Sequence, residues 1–350
     1  MSPSPDIAAE IAALIAAEGP IPVERFMGLA NAHYYATRDP FGAAGDFVTA
    51  PEISQMFGEL IGLALADLWE RAGRPAAAYV ELGPGRGTLA VDALRAMAVA
   101  GLRPPAHFVE TSPLLRAAQA ERFADATWHD TIDTLPDDMP LLIVANEFFD
   151  ALPVRQLVRG VDGWHERMVG DGIDGFAPIP GGASMDRLVP AALRHADPGS
   201  IIEDRPVAAT IAEALGQRLA RQGGALLAFD YGHMRGAHGD TLQAVHAHAY
   251  ADPFARPGAS DLTAHVDFAA LAQAAQAGGA TVSGPIEQGQ WLIALGLSDR
   301  AAILARGSPS RADDIAAAYR RLTHPDEMGE LFKTIAFAAP DWPEPAGFIR

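Results

Sequence analysis

Cysteine is absent from all 350 residues, so the chain can form no disulfide, no thiolate zinc site and no cysteine nucleophile. A reducing compartment suits such a chain. Basic runs are missing too. Twenty-six Lys and Arg face 44 Asp and Glu, a net charge of −18, which repels nucleic acid and anionic lipid and attracts a cationic partner. A nucleic-acid substrate is thereby disfavoured. No 18 apolar residues run unbroken, so no membrane span is expected. The stretch Met1–Asp6 has no basic n-region, and acids at Asp6, Glu10 and Glu18 interrupt the apolar run near it. That is unlike a signal peptide or a mitochondrial presequence, and the expected location is the cytoplasm. The histidines at 233, 238, 246, 248 and 265 match no helical H-x-x-x-H pair, and no G-x-S-x-G elbow occurs. What the chain does have is a 49% hydrophobic fraction, enough for a sizeable core.

The most informative stretch is Tyr79-Val80-Glu81-Leu82-Gly83-Pro84-Gly85-Arg86-Gly87-Thr88-Leu89. An apolar run ending at Leu82 predicts a buried strand, and Thr88, Val91, Leu94 and Arg95 predict a helix. Strand, glycine turn and helix let a ligand lie against bare backbone at a helix N-terminus. Glycine serves there because it tolerates positive φ and has no Cβ to block the approach. Dinucleotide folds use G-x-G-x-x-G. Here Gly83, Gly85 and Gly87 are one residue closer, with Glu81 two positions upstream. This E-x-G-x-G-x-G form, Pro84 included, looks like motif I of S-adenosylmethionine (SAM) methyltransferases. In such sites the loop faces the methionine end of the cofactor and the acid holds its amino group. A tight strand–helix turn with no ligand would use the same glycines.

Strands at 78–82, 107–110, 127–129 and 141–145, with helices between the first two pairs, predict a mostly parallel sheet. The fold class is α/β and Rossmann-like. Upstream, Ile7, Ile11, Leu14 and Ile15 share a helical face behind an Asp6 cap, and a second helix begins at Val23. The segment 31–51 has no sustained period and reads as an ordered loop, and 52–69 reads as one long helix. Downstream, 154–158 and 164–169 flank the turn Val161-Asp162-Gly163, predicting an antiparallel insertion from Arg155 to about 198. A helix at 207–221, a strand at 225–230 and a glycine- and histidine-rich loop at 231–261 come next. A helix at 266–277 leads to closing strands at 281–283 and 290–297, then a helical tail at 312–337 broken at Pro325. The expected organisation is a helical extension with a cofactor-covering loop at 1–75 and a SAM-binding domain at 76–350, carrying the inserted cap at about 155–200.

In doubly wound folds the ligand lies outside the carboxyl ends of the strands, so polar residues there are the candidates. After the second strand, Glu110 can accept both ribose hydroxyls, or instead cap the next helix. After the third, Asp130 can reach an adenine amino group, and His129 is given no role. After the fourth come Asn146, Glu147, Phe148, Phe149 and Asp150. An amide, two carboxylates and two aromatics suit a basic, planar acceptor, with Glu147 and Asp150 orienting a guanidinium or ammonium. Asp150 as a cap and the phenylalanines as core are the alternative. Thr49, with Asp46 and Glu52, lies in a loop at 45–52 that would close over the cofactor, or simply lead into the next helix.

The stretch Gly45-Asp46-Phe47-Val48-Thr49-Ala50-Pro51-Glu52-Ile53-Ser54-Gln55-Met56-Phe57-Gly58-Glu59-Leu60 resembles the signature of the MidA-like SAM-dependent methyltransferases. The likeness continues through Gly83–Leu89, Glu110–Pro113, Asn146–Pro153 and Phe229-Asp230-Tyr231-Gly232. It extends to 241–243, 261–268 and 328–333, so it spans about 26–337. That family includes a mitochondrial enzyme that methylates an arginine of a complex I subunit during assembly. The resemblance implies SAM as cofactor, no metal, and a protein substrate, by analogy the bacterial counterpart of the 49-kDa-type subunit. The reaction it implies is an in-line attack of an acceptor nitrogen on the methyl carbon, with S-adenosylhomocysteine leaving. Two other classes stand beside it: an assembly factor that binds SAM or nothing without catalysis, and an NAD-dependent oxidoreductase. The glycine spacing and the lack of an S-x-x-x-Y-x-x-x-K arrangement count against the oxidoreductase.

Overall fold

The computed structural model describes residues 6–38, 49–173, 175–236, 239–246 and 249–348. The chain divides into two compact units, Val48–Phe149 with Ala209–Arg235 and Val266–Arg350, and Met1–Phe47 with Asp150–Ala208 and Gly236–His265. The first is built on a sheet whose strands are β1 (Ala78–Leu82), β2 (Ala106–Val109), β3 (Thr127–His129), β4 (Leu141–Asn146), β5 (Gly224–His233), β6 (Thr281–Glu287) and β7 (Phe332–Ala338). Across the sheet they run β3-β2-β1-β4-β5-β7-β6, and a short strand, Val266–Asp267, joins the end of β5. β1 to β5 pair in parallel, with Val80 opposite both His107 and Ile143, and Leu226 opposite Ile143. β7 runs antiparallel to both neighbours. This is the mostly parallel Rossmann-like arrangement expected. The strand order reverses between β1 and β4, where open α/β sheets bind their ligands.

Every residue of β1 is buried, as a central parallel strand covered on both faces requires. On one face the helix Gln55–Arg71 turns Phe57, Ile61 and Leu65 into the core. There Phe57 meets Phe229 edge-on at 5.2 Å, and Phe229 meets Trp291 at 5.0 Å. The same helix crosses Thr88–Val99 closely because two of its residues are glycines. A Cβ on Gly62 would stand 2.3 Å from the Ala93 carbonyl oxygen, and one on Gly58 2.8 Å from Asp92 Cβ. Beside this crossing Glu59 accepts from Arg95 at 2.9 Å and from Arg300 at 2.7 Å. Burial raises its pKa, but the two guanidiniums outweigh that and hold it below the ordinary carboxylate value.

Several expectations are corrected. The helix expected to run unbroken over 52–69 is two: Ala50–Ile53 and Gln55–Arg71, separated at Ser54, whose extended backbone and hydroxyl cap the second. The loop expected from residue 31 begins later, because the helix Val23–Thr37 continues past Asn31 with Asn31 and Tyr34 buried. Residues 39–48, and with them Asp46, lie outside the described residues. The stretch 290–297 is no strand. Gln288, Trp291 and Leu292 are buried at helical spacing in Gln288–Ala294, and Gly296 ends it with φ 89°. The closing strand is instead β7, which reads in sequence as the end of a helix. Seven residues, five of them apolar, have no decisive period, and a place between β5 and β6 makes the stretch extended.

In the second unit, helices Ile7–Glu18 and Val23–Thr37 accompany an antiparallel sheet ordered Ile21–Pro22, Trp164–Gly172, Arg155–Arg159, Ile201–Asp204. Asp6 caps the first helix by accepting from the Ala8 N–H at 3.1 Å. The expected hairpin across 161–163 is present, closed by the Gly160 N–H on the Gly163 carbonyl at 2.7 Å. The antiparallel segment runs beyond 198 to Ile201–Asp204. The loop expected over 231–261 also carries structure, a small sheet of Gln243–His246, Ala249–Ala251 and Asp261–Thr263.

The glycine-mediated helix crossing gives a direct test. Gly62→Val forces a side chain onto the Ala93 backbone and should cost about 3 kcal/mol of unfolding free energy. Urea unfolding measures it, and an unchanged midpoint would show that the two helices separate freely.

Candidate functional site

The carboxyl ends of β1, β2 and β4 share one edge of the sheet, and the predicted residues can be placed there one by one. Glu81 lies within β1, only 3% exposed. Its one identified donor is the Tyr79 hydroxyl, two residues back on the same strand face, at 2.7 Å. Desolvation pushes the Glu81 carboxyl up to about 8, with the Tyr79 hydrogen bond opposing. The turn after β1 takes Gly83, Gly85 and Gly87 through φ of 61°, 54° and 75°, left-handed values that favour glycine. Gly87 N–H closes the turn on the Pro84 carbonyl at 2.8 Å, and the helix Thr88–Val99 starts with no side-chain cap on its N–H groups. The two sides of the reversal point touch here. A Cβ on Gly83 would stand 3.2 Å from the Phe148 ring.

Glu110 comes directly after β2 and is 8% exposed. It does not cap the next helix. Ser112 does, accepting from Leu115 N–H at 3.4 Å, while the Glu110 carboxylate accepts from the Ser112 N–H at 2.8 Å. Burial raises its pKa, and the Ser112, Thr111 and Gln119 donors oppose the rise. Gln119 is a residue that sequence reasoning missed. It is fully buried, and its Nε2 donates to the Gly85 carbonyl at 2.6 Å and to Glu110 Oε2 at 3.4 Å. Its position late in the short helix after the ribose-acid candidate is the one signal the sequence carries. Asp130, after β3, is exposed and pairs with Arg116 at 2.7 Å. His129 is engaged by His107 at 3.0 Å and Thr134 at 2.8 Å.

At the end of β4, Asn146 Nδ2 donates to Glu147 Oε1 at 3.2 Å, and Asn146 Oδ1 is buried with no hydrogen-bond partner among the described residues. Glu147 has φ 50°, a left-handed conformation that costs a non-glycine residue roughly 1 kcal/mol and is held by its N–H on the Phe229 carbonyl at 2.9 Å. Asp230, in β5 one residue past its last pairing with β4 and absent from the predicted set, is fully buried. Its carboxylate accepts from the Phe149 and Tyr231 N–H groups, each at 2.9 Å. The rule of polar residues at strand ends would have found it.

Two further predicted residues are Thr49 and Asp150. Thr49 is buried ahead of Ala50–Ile53, its carbonyl accepting from the Glu52 and Ile53 N–H groups. Asp150 belongs to the second unit, where it is 4% exposed and its carbonyl accepts from Ala264 N–H at 3.1 Å and Arg205 Nη1 at 3.4 Å. A cavity of about 400 Å³ is lined by Glu52, Thr88, Asp92, Arg311 and Asp314 among others. Its lining includes neither Gly85 nor Glu110 nor Asn146, so the strand edge is the better candidate. Among the described residues no group of three or more His, Asp or Glu is arranged to hold a metal ion. His238 and His248 lie outside them.

Residues 60–286 match the family described as "Putative S-adenosyl-L-methionine-dependent methyltransferase". The Drosophila melanogaster mitochondrial protein named protein arginine methyltransferase NDUFAF7 homolog is 36% identical over 94% of this chain and 84% of its own length. The Homo sapiens mitochondrial protein arginine methyltransferase NDUFAF7 is 35% identical over 92% and 81%. A crystal structure from Burkholderia thailandensis, bound to S-adenosyl-homocysteine, superimposes with a TM-score of 0.86 at 31% identity, covering 98% of this chain and 94% of that one. With an uncapped helix N-terminus behind a left-handed glycine turn at the strand-order reversal, and relatives of this kind over nearly its whole length, the chain belongs to this family of SAM-dependent methyltransferases.

Proposed function

We propose that this methyltransferase acts in the cytoplasm on an arginine side chain of a protein, the bacterial counterpart of the 49-kDa-type subunit of respiratory complex I. The observation that carries the reading is the 36% identity, over 94% of the chain, to a protein named as a protein arginine methyltransferase. The acidic edge at Asn146 and Glu147 supports a basic acceptor. No helix among the described residues is long and apolar enough to cross a membrane.

The residues present fit the cofactor. The turn presents backbone without side chains at Gly83 and Gly85, the carboxylates of Glu81 and Glu110 are buried beside it, and both have pKa values raised by desolvation. A cation or a pair of hydroxyls would relieve that desolvation. Glu81 would hold the cationic amino group, Glu110 the ribose hydroxyls and Asp130 the adenine amino group, with Pro84 and Gly87 shaping the turn and Thr49 covering it. When bound, SAM supplies a methyl group made electrophilic by its sulfonium. Glu147 would accept an N–H of the guanidinium, which concentrates the nitrogen lone pair and offsets the charge. Asn146 would use its open Oδ1 to orient the same group. Holding the reactants in line supplies most of the acceleration.

Glu81 gives a pH prediction. Its folded-state pKa of about 8 lies above the ordinary 4.5, so the folded free protein keeps a proton that the unfolded chain loses. Stability should therefore decline as pH rises from about 4.5 to about 8, and Glu81→Gln should remove that part of the decline in urea unfolding. Binding of a cationic amino group favours the carboxylate, so SAM affinity should rise with pH up to about 8. Wild type should also release more protons than Glu81→Gln in calorimetry at pH 7 in buffers of different ionisation enthalpy. Equal release by both proteins removes Glu81 from the cofactor site.

Glu147→Gln keeps shape and removes charge. SAM binding should survive while methyl transfer falls about 100-fold. Mass spectrometry of proteins treated with the enzyme and isotope-labelled SAM checks both rate and target. Label on arginine of the complex I subunit is the expected outcome. Label on lysine, or on carboxylates and hydroxyls, would replace the arginine reading. SAM binding with no label on any protein would favour a non-catalytic assembly role.

A further inference from the structure

Gln119 is fully buried, and each polar atom of its amide is engaged. Nε2 donates to the Gly85 carbonyl at 2.6 Å and to Glu110 Oε2 at 3.4 Å, and Oε1 accepts from the Trp128 indole N–H at 2.7 Å. The orientation is fixed by chemistry. A carbonyl accepts only and an indole N–H donates only, so turning the amide over would set oxygen against oxygen and N–H against N–H. In a trans peptide the Gly85 carbonyl and the Arg86 N–H point to opposite sides, so tying the carbonyl to Gln119 also fixes where that N–H is aimed. The amide thus joins three pieces that are separate in sequence: the glycine turn after β1, the acid after β2, and the indole of Trp128 in β3.

We propose that Gln119 is a positioning residue for the cofactor. It sets the spacing between the turn that cradles the methionine end and the carboxylate that holds the ribose. The Glu110 carboxylate, with the Ser112 N–H on Oε1 and Gln119 on Oε2, is held in one plane for a bidentate grip on two hydroxyls. A rotating carboxylate would lose part of that grip to ordering. The proposal rests on the reading of Glu110 as the ribose ligand.

The test measures S-adenosylhomocysteine and its 2′-deoxy analogue by calorimetry on wild type, Glu110→Gln, Gln119→Met and the double variant. Methionine has nearly the volume of glutamine but neither donates to Gly85 nor holds the carboxylate. Gln119→Met should weaken the natural ligand about tenfold and the deoxy analogue much less, so that ribose discrimination shrinks. In the double variant the two losses should combine to clearly less than their product. A merely structural role would lower Tm and leave the ratio of the two ligands unchanged. If Gln119→Met does not fold by circular dichroism, Gln119→Asn carries the same test, since its amide is one methylene too short to reach both partners. If Glu110→Gln itself keeps full ribose discrimination, the ribose reading fails and the proposal fails with it. If Glu110→Gln loses discrimination while a folded Gln119 variant retains it, the proposal alone is overturned.

Discussion

Burying carboxylates at the ends of parallel strands is the constraint on which the rest of this site depends. Glu81, Glu110 and Asp230 are 3%, 8% and 0% exposed, in a protein already carrying a net charge of −18. Removing a carboxylate from water costs several kcal/mol unless donors replace the lost hydration. The three solve this differently. Asp230 accepts two backbone N–H groups and ties β5 to Phe149, just past the end of β4. Glu110 accepts backbone N–H groups and a side-chain amide. Glu81 has the Tyr79 hydroxyl, and its carboxyl is accordingly pushed far toward the neutral form. Within one sheet edge there is a gradient from an acid held by two backbone N–H groups to one whose hydration is replaced least.

Much of this edge was legible in the sequence, because the features that make it are local. A strand, three spaced glycines and a helix occupy eleven consecutive residues, and strand–helix alternation gives the parallel sheet with acids at predictable ends. The parts that were not legible are those decided at a distance. Gln119 is an ordinary polar residue on a short helix until the fold brings Gly85 to its amide. β7 has no period of its own, and its neighbours in the sheet make it a strand. The helix through Asn31 continues where the sequence reads as loop because its side chain finds distant partners. Asn31 Nδ2 donates to the Ala151 and Leu262 carbonyls at 3.0 and 2.7 Å, and Oδ1 accepts from Leu262 N–H at 3.0 Å.

The second unit handles its own irregular segment by the same means. Residues 150–153 have no regular secondary structure, so their carbonyls need partners from elsewhere. Buried Arg205 supplies them to Asp150 and Leu152 and also reaches His265, while Asn31 serves Ala151. A guanidinium with five N–H groups suits this work because it can serve several carbonyls from one fixed plane. The segment after β4 is thereby held by residues many tens of positions away on either side of it in sequence.

The place of β7 has a consequence for synthesis. It lies between β5 and β6 yet comes after β5 by about a hundred residues. As the chain emerges from the ribosome, β5 can pair with β4 on one side while its other edge stays open, and β6 has no neighbour to join. An open edge of buried apolar residues is a template for pairing with another chain. At some 5–20 residues per second that exposure would last on the order of ten seconds. The final strand therefore acts as the closing stitch of the sheet, and the interval before it arrives is when the nascent protein most needs a chaperone.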